Sequence, residues 1–174
     1  MAPAGPFTEV QPTFATRVRR LLRRHTVDDA VLLINNRLAS AGVRAITVVE
    51  LERVRRTHRI AEPEFRSRLE HFYRDYLVHC FEDAHLAEDE IRDLEHLRQT
   101  LGLAPETVDV IHRTVMRRVY ARSVEQVLAD GSIDERERAF LARLREHLAL
   151  PAEIAENIEE IKERQWLQRN PGQA

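Results

Sequence analysis

The spacing of apolar residues is the feature that most limits what this chain can fold into. Apolar side chains recur every three or four residues through most of the sequence, as one face of an α-helix requires. One such row consists of Phe65, Leu69, Phe72, Tyr76 and Cys80. No segment alternates between apolar and polar residues as a half-buried strand does. The pattern therefore predicts an all-α fold.

Glycine and proline residues divide this helical pattern into about eight helices joined by short turns. A length of 174 residues is enough for one domain with a buried core, and we assign that domain to residues 14–169. Residues 1–13 contain three prolines and show no helical period, so they are predicted to form a disordered or draped leader. Residues 170–174 are a short tail.

An internal repeat relates residues 81–103, the first copy, to residues 128–150, the second copy, at a constant offset of 47 positions. The equivalent pairs are Asp83 and Asp130, Leu86 and Ile133, Glu90 and Glu137, Leu94 and Leu141, Leu97 and Leu144, Leu101 and Leu148, and Leu103 and Leu150. Acidic turn positions match as well as leucines, which favours a duplication over chance periodicity. The repeat predicts stacked helical hairpins, duplicated over residues 76–111 and 123–158.

A degenerate third copy is predicted over residues 34–60. Its apolar residues precede their equivalents in the second copy by 90 positions, and they are Ile34, Leu38, Val43, Leu51, Val54 and Ile60. Ser40 and Thr47 stand there in place of Asp130 and Glu137. The packing positions are therefore retained where the acidic turn is lost.

The turn ADGSIDERE, residues 129–137, matches the second half of an EF-hand calcium loop. Such a loop takes oxygen ligands from its positions one, three, five, seven, nine and twelve. Asp130, Asp134 and Glu137 fall at positions five, nine and twelve. Positions one and three fall on Gln126 and Leu128, and an apolar side chain cannot coordinate a hard cation.

The same turn has a second interpretation that needs no metal. Ser132 as N-cap, with Glu135 three residues later, would form a capping box, and Gly131 would allow a tight turn. Acidic side chains in a first helical turn also interact favourably with the helix dipole. The sequence therefore favours a structural turn over a calcium site.

Four features together resemble the tellurite-resistance TerB-like domain: a helix ending in ADG, the acidic turn SIDERE, the amphipathic AFLARLREHLAL and the proline that follows. The resemblance covers about residues 70–160. It implies duplicated helical hairpins in a protein of metal-ion or stress responses, or in a domain appended to a larger assembly. It also implies a metal-binding role for the acidic positions Asp83, Glu90, Asp130, Asp134 and Glu137.

A second group of potential metal ligands lies along one helix. Its members are His71, Asp75 and His79, one turn apart, followed by Cys80, Glu82 and His85. Imidazole and carboxylate groups can bind a transition metal together, and Glu82 with His85 forms half of a di-iron bundle motif. The alternative, a partly solvated helix flank with His–Asp pairs, is the favoured interpretation.

No catalytic motif stands out in the sequence. It has no glycine-rich phosphate loop, no nucleophile elbow and no zinc signature. The lone Cys80 cannot form a disulfide within the chain, and its position on an apolar helix face predicts a buried thiol. We therefore expect the protein not to be an enzyme.

The segment FATRVRRLLRRH, residues 14–25, is predicted to be a basic amphipathic helix. Its partner-binding candidates are Arg17, Arg19, Arg20, Arg23 and Arg24. Such a helix can dock on an acidic protein surface, lie on an anionic membrane or, less readily, contact nucleic-acid phosphates. It also resembles an organelle-targeting presequence, although the apolar pattern continues into the next helix. The remaining alternative is an ordinary first helix of the core.

Charge is unevenly distributed along the chain. Residues 1–80 carry a net charge of +5 and residues 81–174 a net charge of −7, which bears on association with charged partners. No apolar run approaches the roughly 20 residues of a membrane-spanning helix. A single cysteine suits a reducing compartment, so we expect a cytoplasmic location.

The sequence as a whole predicts a non-enzymatic protein-interaction or adaptor module of a larger complex. Recognition would use the basic N-terminal segment or the acidic C-terminal half, and no cofactor would be needed. The alternative is a metal-binding TerB-like stress-response protein, whose acidic turns would hold a divalent cation.

Overall fold

The computed structural model describes residues 5–11, 13, 26–81 and 87–171. All regular secondary structure in these residues is helical, which confirms the predicted all-α fold. Contacts between Cα atoms divide the chain into two compact units. The first unit comprises Met1–Cys80 and Leu86–Val108, and the second unit comprises Phe81–His85 and Asp109–Ala174.

Seven α-helices lie in the described residues. They are α1 (Val27–Ala41), α2 (Val48–His58), α3 (Glu62–Cys80), α4 (Glu88–Thr100), α5 (Pro105–Val127), α6 (Glu135–His147) and α7 (Ala152–Arg169). Short 3-10 turns precede α2 at Val43–Ala45 and follow α5 at Leu128–Asp130. The basic helix predicted over residues 14–25 lies outside the described residues. Within the described ranges, no helix combines the length and the apolar character needed to cross a membrane.

Side chains at the N-termini define where several helices begin. Thr26 Oγ1 accepts a hydrogen bond from the Asp29 backbone N–H at 3.2 Å, and Asp29 Oδ2 accepts one from the Thr26 N–H at 3.1 Å. Thr47 and Glu50 form the same reciprocal pair at the start of α2. Each capping box satisfies backbone donors that the helix itself leaves unpaired.

A buried carboxylate organises the polar part of the first unit. The apolar row of α3, from Phe65 to Cys80, is buried as predicted. Asp93 of α4 is also buried, and it accepts hydrogen bonds from the Tyr76 hydroxyl at 2.9 Å and from Arg44 Nε. The hydrogen bond to the Asp93 carboxylate is the main cause that raises the pKa of the Arg44 guanidinium. These partners compensate the cost of burying a charged group.

The described part of the leader packs on helices of the first unit. The Phe7 ring stacks on Tyr76 with 6.2 Å between ring centroids and meets the ring of Phe72 edge-on at 5.9 Å. The Val10 backbone exchanges two 2.9 Å hydrogen bonds with the Asn36 side chain. Residues 7–10 therefore lie against α1 and α3.

The single thiol of the chain is buried, as predicted. Cys80 has 1% of its surface exposed at the end of α3. Burial raises the pKa of its thiol to about 12, so the reactive thiolate is rare near neutral pH.

The limits of the helices follow the 47-residue offset of the predicted repeat. Helices α4 and α6 are both 13 residues long and begin 47 positions apart, at Glu88 and Glu135. The helices that follow them begin at Pro105 and Ala152, again 47 positions apart. The equivalent leucines of both copies are buried: Leu94, Leu97, Leu101 and Leu103, and Leu141, Leu144, Leu148 and Leu150.

The two copies also end their first helix in the same way. Gly102 and Ala149 adopt positive φ angles of 63° and 47°. The next residue, Leu103 or Leu150, donates its N–H to a carbonyl five residues earlier, at 3.0 Å in both copies. A left-handed residue at this position closes the helix and turns the following leucine back towards it.

The segment predicted to be a degenerate third copy has the same helix ending. Arg59 has a φ of 54°, and the Ile60 N–H donates to the Arg55 carbonyl at 3.1 Å. The next helix begins at Glu62, 90 positions before Ala152. Five of the six predicted apolar positions are buried, and Val54 is half-buried. The copies differ at the start of the helix, because α2 has only 11 residues.

Truncation of a repeat leucine should destabilise the protein. Leu97 is fully buried in α4, so Leu97→Ala is expected to lower the free energy of unfolding by about 2–5 kcal/mol. Ile91 lies on the same helix with 53% of its surface exposed, so Ile91→Ala is the matched control and should cost about 0.5 kcal/mol or less. Urea unfolding curves measure both changes. Equal losses in the two variants would contradict the assigned core.

Candidate functional site

The acidic turn of the second copy is built by helix capping. Asp134 is the N-cap of α6: its Oδ1 accepts from the Glu137 N–H, and Glu137 Oε2 accepts from the Asp134 N–H, both at 2.8 Å. Asp130 Oδ1 accepts from the Ser132 N–H at 3.2 Å. The capping box predicted at Ser132 and Glu135 is therefore wrong by two residues, because Asp134 supplies the capping oxygen.

The five acidic residues assigned to a metal are only partly described. Asp83 lies outside the described residues, and Glu90 Oε2 accepts a hydrogen bond from the Ala87 N–H at 2.8 Å. Among the residues that the structure describes, no three His, Cys, Asp or Glu side chains converge as a metal site would require. The metal-binding role of Asp83, Glu90, Asp130, Asp134 and Glu137 stays a prediction.

The structure also describes only part of the other predicted sites, which are the basic N-terminal segment and the ligand group from His71 to His85. The partner-binding residues Arg17, Arg19, Arg20, Arg23 and Arg24 lie outside the described residues, and so do Glu82 and His85. His71 Nδ1 lies 2.7 Å from the Ser67 carbonyl oxygen of its own helix. The role of the basic segment in partner binding stays a prediction.

The second unit contains a cleft that the sequence did not indicate. It has a volume of about 560 Å³, and we call it the α6–α7 cleft because residues of these helices form its two walls. Leu128 and Leu141 contribute buried apolar surface, and Trp166 and Leu167 of α7 contribute more accessible surface. Gly131 and Ile133 place the acidic turn at its edge. The turn thus has a second role, because it shapes a cavity.

A close contact between Gly131 and Trp166 shapes this cleft. Gly131 has a φ of 94°, a left-handed conformation that costs little only for glycine. A Cβ atom at this position would lie 2.5 Å from Trp166 Cη2 and 2.6 Å from Cζ2. Backbone conformation and ring contact therefore both require glycine. Trp166 is the only tryptophan in the chain.

Hydrogen bonds fix other side chains around the cleft. The buried Tyr120 hydroxyl donates to Glu159 Oε1 of α7, and burial together with this carboxylate raises the pKa of Tyr120. Lys162 Nζ lies 2.6 Å from Glu125 Oε1 and joins α7 to α5. These contacts hold α7 in place along the end of α5.

Charged side chains line the two walls. Arg138 and Arg145 belong to α6, and Glu156 and Glu163 belong to α7. Within the described part of the chain, none of these four side chains forms a hydrogen bond or an ion pair. The cleft therefore combines an apolar floor with cations on one wall and anions on the other.

Comparison with known proteins defines the class of this all-helical chain. A family model described as Tic110, chloroplast envelope transporter, matches residues 62–170. The chain belongs to this family, because the match covers more than half of its length. No curated protein and no solved structure matches the chain.

Family membership corrects two predictions. The resemblance to the TerB-like domain is wrong, because the family that matches the same region is Tic110. The metal and stress-response roles lose the support that this resemblance gave. The predicted cytoplasmic location is also wrong, because the family is that of a chloroplast envelope transporter. The short acidic turn and periodic leucines that suggested TerB are general features of capped amphipathic helices.

Substitution of Gly131 tests the contact with Trp166. Gly131→Ala should lower the free energy of unfolding by more than the roughly 1–2 kcal/mol expected from left-handed strain alone. Gly102→Ala is the matched control, because Gly102 has a φ of 63° and no atom within 4 Å of the added Cβ. In a Trp166→Ala background the cost of Gly131→Ala should fall to that of the control. A cost that persists there would contradict the assigned contact.

The capping geometry also predicts the response to calcium. Asp134 and Glu137 are engaged with backbone N–H groups, and Leu128 offers no ligand, so millimolar calcium should leave the melting temperature unchanged. Calorimetric titration measures binding directly. Stoichiometric micromolar binding that Glu137→Gln abolishes would overturn this prediction.

Proposed function

We propose that this chain is a non-enzymatic interaction module that binds a helical segment of a protein partner in the α6–α7 cleft. The partner would belong to a protein complex of the chloroplast envelope, in keeping with the name of the family. The observation that carries the proposal is the cleft itself, an open cavity of about 560 Å³ beside a partly exposed tryptophan.

The composition of the cleft supports binding of a protein. Tryptophan, tyrosine and arginine are the residue types that most often dominate binding energy at protein interfaces. Tyr120, Arg138, Arg145 and Trp166 all line this cavity. Leu167 lies beside them with 45% of its surface exposed, a place where apolar area can be buried by a partner.

The shape of the cleft supports a helical ligand. Two helices with an apolar floor between them form a groove, and an amphipathic helix can lay its apolar face into such a groove. The α7 wall is held against α5 by the Tyr120–Glu159 and Lys162–Glu125 contacts, so this wall is ordered before a partner arrives. Preorganised walls reduce the entropy lost on binding.

A photocrosslinking experiment tests this function. A photoreactive phenylalanine analogue would replace Leu167 in the cleft or, as the control, Val110. Val110 is an apolar residue of the same unit with 53% of its surface exposed, and it lies outside the cleft. In envelope fractions of the source organism, the analogue at position 167 should crosslink a partner that the analogue at position 110 does not.

Titration with the purified crosslinked partner completes the test. Leu167→Arg should weaken binding by about tenfold or more, because it places a bulky charge on the apolar face, whereas Val110→Arg should leave the affinity unchanged. Circular-dichroism melting would verify that both variants fold. Equal affinities of the two variants would contradict the proposed function.

A further inference from the structure

We infer that the ligand of the α6–α7 cleft is an amphipathic helix with acidic side chains along one flank and basic side chains along the other. This inference rests on the proposed function and adds the chemistry by which the cleft would select its partner. The charges on the two walls carry the argument.

The charged residues repeat at the same interval on both walls. Arg138 and Arg145 are seven residues apart on α6, and Glu156 and Glu163 are seven residues apart on α7. Seven residues are about two helical turns, so each pair lies on one face of its helix with a separation of about 10.5 Å along the axis. The cleft therefore has one cationic wall and one anionic wall.

The two pairs also stand at matched distances from the turn between the helices. Counted outward from the Leu150–Pro151 peptide bond, Arg145 and Glu156 are each the sixth residue, and Arg138 and Glu163 are each the thirteenth. Opposite charges thus occur at corresponding positions along α6 and α7. None of the four forms a hydrogen bond or an ion pair within the described residues, although Arg145 interacts electrostatically with the Tyr120 hydroxyl. Arg138, Glu156 and Glu163 are exposed and Arg145 is half-buried, so these charges can be reached by a ligand.

Other charged side chains of α7 near the cleft are paired within the second unit. Glu159 accepts the hydrogen bond of Tyr120, and Lys162 pairs with Glu125, so both are engaged inside the unit. Of the charged residues on α7 that line the cleft, Glu156 and Glu163 are the two without such a partner among the described residues. The residues without a hydrogen bond or ion pair inside the unit are those with the regular spacing.

The interval of about 10.5 Å favours a helix over an extended strand. An α-helix returns a side chain to the same face after seven residues, which matches this interval. A β-strand returns a side chain to the same face after two or four residues, at distances of about 6.7 or 13 Å along the strand. Neither distance matches the interval of about 10.5 Å. A helical ligand can therefore meet both charges of a wall while its apolar stripe covers Trp166 and Leu167.

The mixed walls disfavour ligands of a single charge sign. Three glutamates line the cavity, so a nucleic-acid strand or an anionic lipid surface would meet like charges on the α7 wall. A wholly basic or wholly acidic helix would be repelled by one wall. Unfavourable contacts of this kind provide specificity as effectively as favourable ones.

Three designed peptides test this inference with the full-length protein. Each is a stapled helix of about 18 residues, without tryptophan, and all share the same apolar stripe. The first has glutamates on one flank and lysines on the other, the second has glutamates on both flanks, and the third has lysines on both. Trp166 is the only tryptophan of the chain, so its fluorescence reports occupation of the cleft. The mixed peptide should bind about tenfold or more tightly than either of the others, and the difference should shrink in about 0.5 M salt.

Charge reversal of one wall should reverse this preference. In Arg138→Glu/Arg145→Glu both walls are acidic, so the mixed peptide should lose about tenfold in affinity and the wholly basic peptide should gain. Adding Glu156→Arg and Glu163→Arg to this variant should restore the affinity for the mixed peptide. Arg136→Glu/Arg143→Glu is the matched control, because these exposed arginines have the same spacing on α6 but lie outside the cleft. If the reversed variants do not fold, Arg138→Gln/Arg145→Gln should still abolish the preference.

The outcomes separate this inference from the proposed function. Equal binding of all three peptides, abolished by Leu167→Arg, would overturn the charge selection and leave the helix-binding cleft intact. Failure of every peptide to bind at millimolar concentration would overturn both. Recovery of the affinity for the mixed peptide when the charges of both walls are reversed would establish the inference.

Discussion

Burial of leucines at one repeated spacing stabilises each of the two units of this protein. Helices α4 and α6 bury equivalent leucines, and a left-handed residue after each helix turns a further leucine back into the core. Burial of apolar surface stabilises by about 25 cal/mol per Å² and has no directional requirement. The leucine pattern can therefore persist in both copies while the polar residues around it diverge.

The α6–α7 cleft combines positions that match the residues 47 positions earlier with positions that do not. Arg98 and Asp109 stand there in place of Arg145 and Glu156 and carry the same charges, whereas Ile91, Met116 and Val119 stand in place of Arg138, Glu163 and Trp166. Each charged wall of the cleft therefore has one charge with an equivalent and one without. The second charge of each wall and the tryptophan are specific to the cleft. These features are the basis of the proposed recognition of a charged amphipathic helix.

The sequence predicted the fold better than the site. Helix periodicity predicted the all-α fold and the buried apolar rows, because both depend on local spacing along the chain. The N-cap was misplaced by two residues, since Ser132 and Asp134 are equally suitable capping residues and only the path of the turn selects Asp134. The cleft escaped prediction because Gly131 and Trp166 are 35 positions apart, and only folding brings them into contact. The regular Arg and Glu pairs were visible in the sequence, but they resemble any solvated helix face until the cavity between them is known.

Acrylamide quenching of the single tryptophan tests the central claim, that partner binding occupies the α6–α7 cleft. Trp166 lines the cleft and is partly exposed in the free protein, so its fluorescence should be accessible to acrylamide. Saturation with the crosslinked partner should cover the ring and lower the quenching constant, and Leu167→Arg should prevent this change at the same partner concentration. A partner that binds while the quenching constant of Trp166 stays at its free value would contradict the account, because the binding surface would then lie elsewhere.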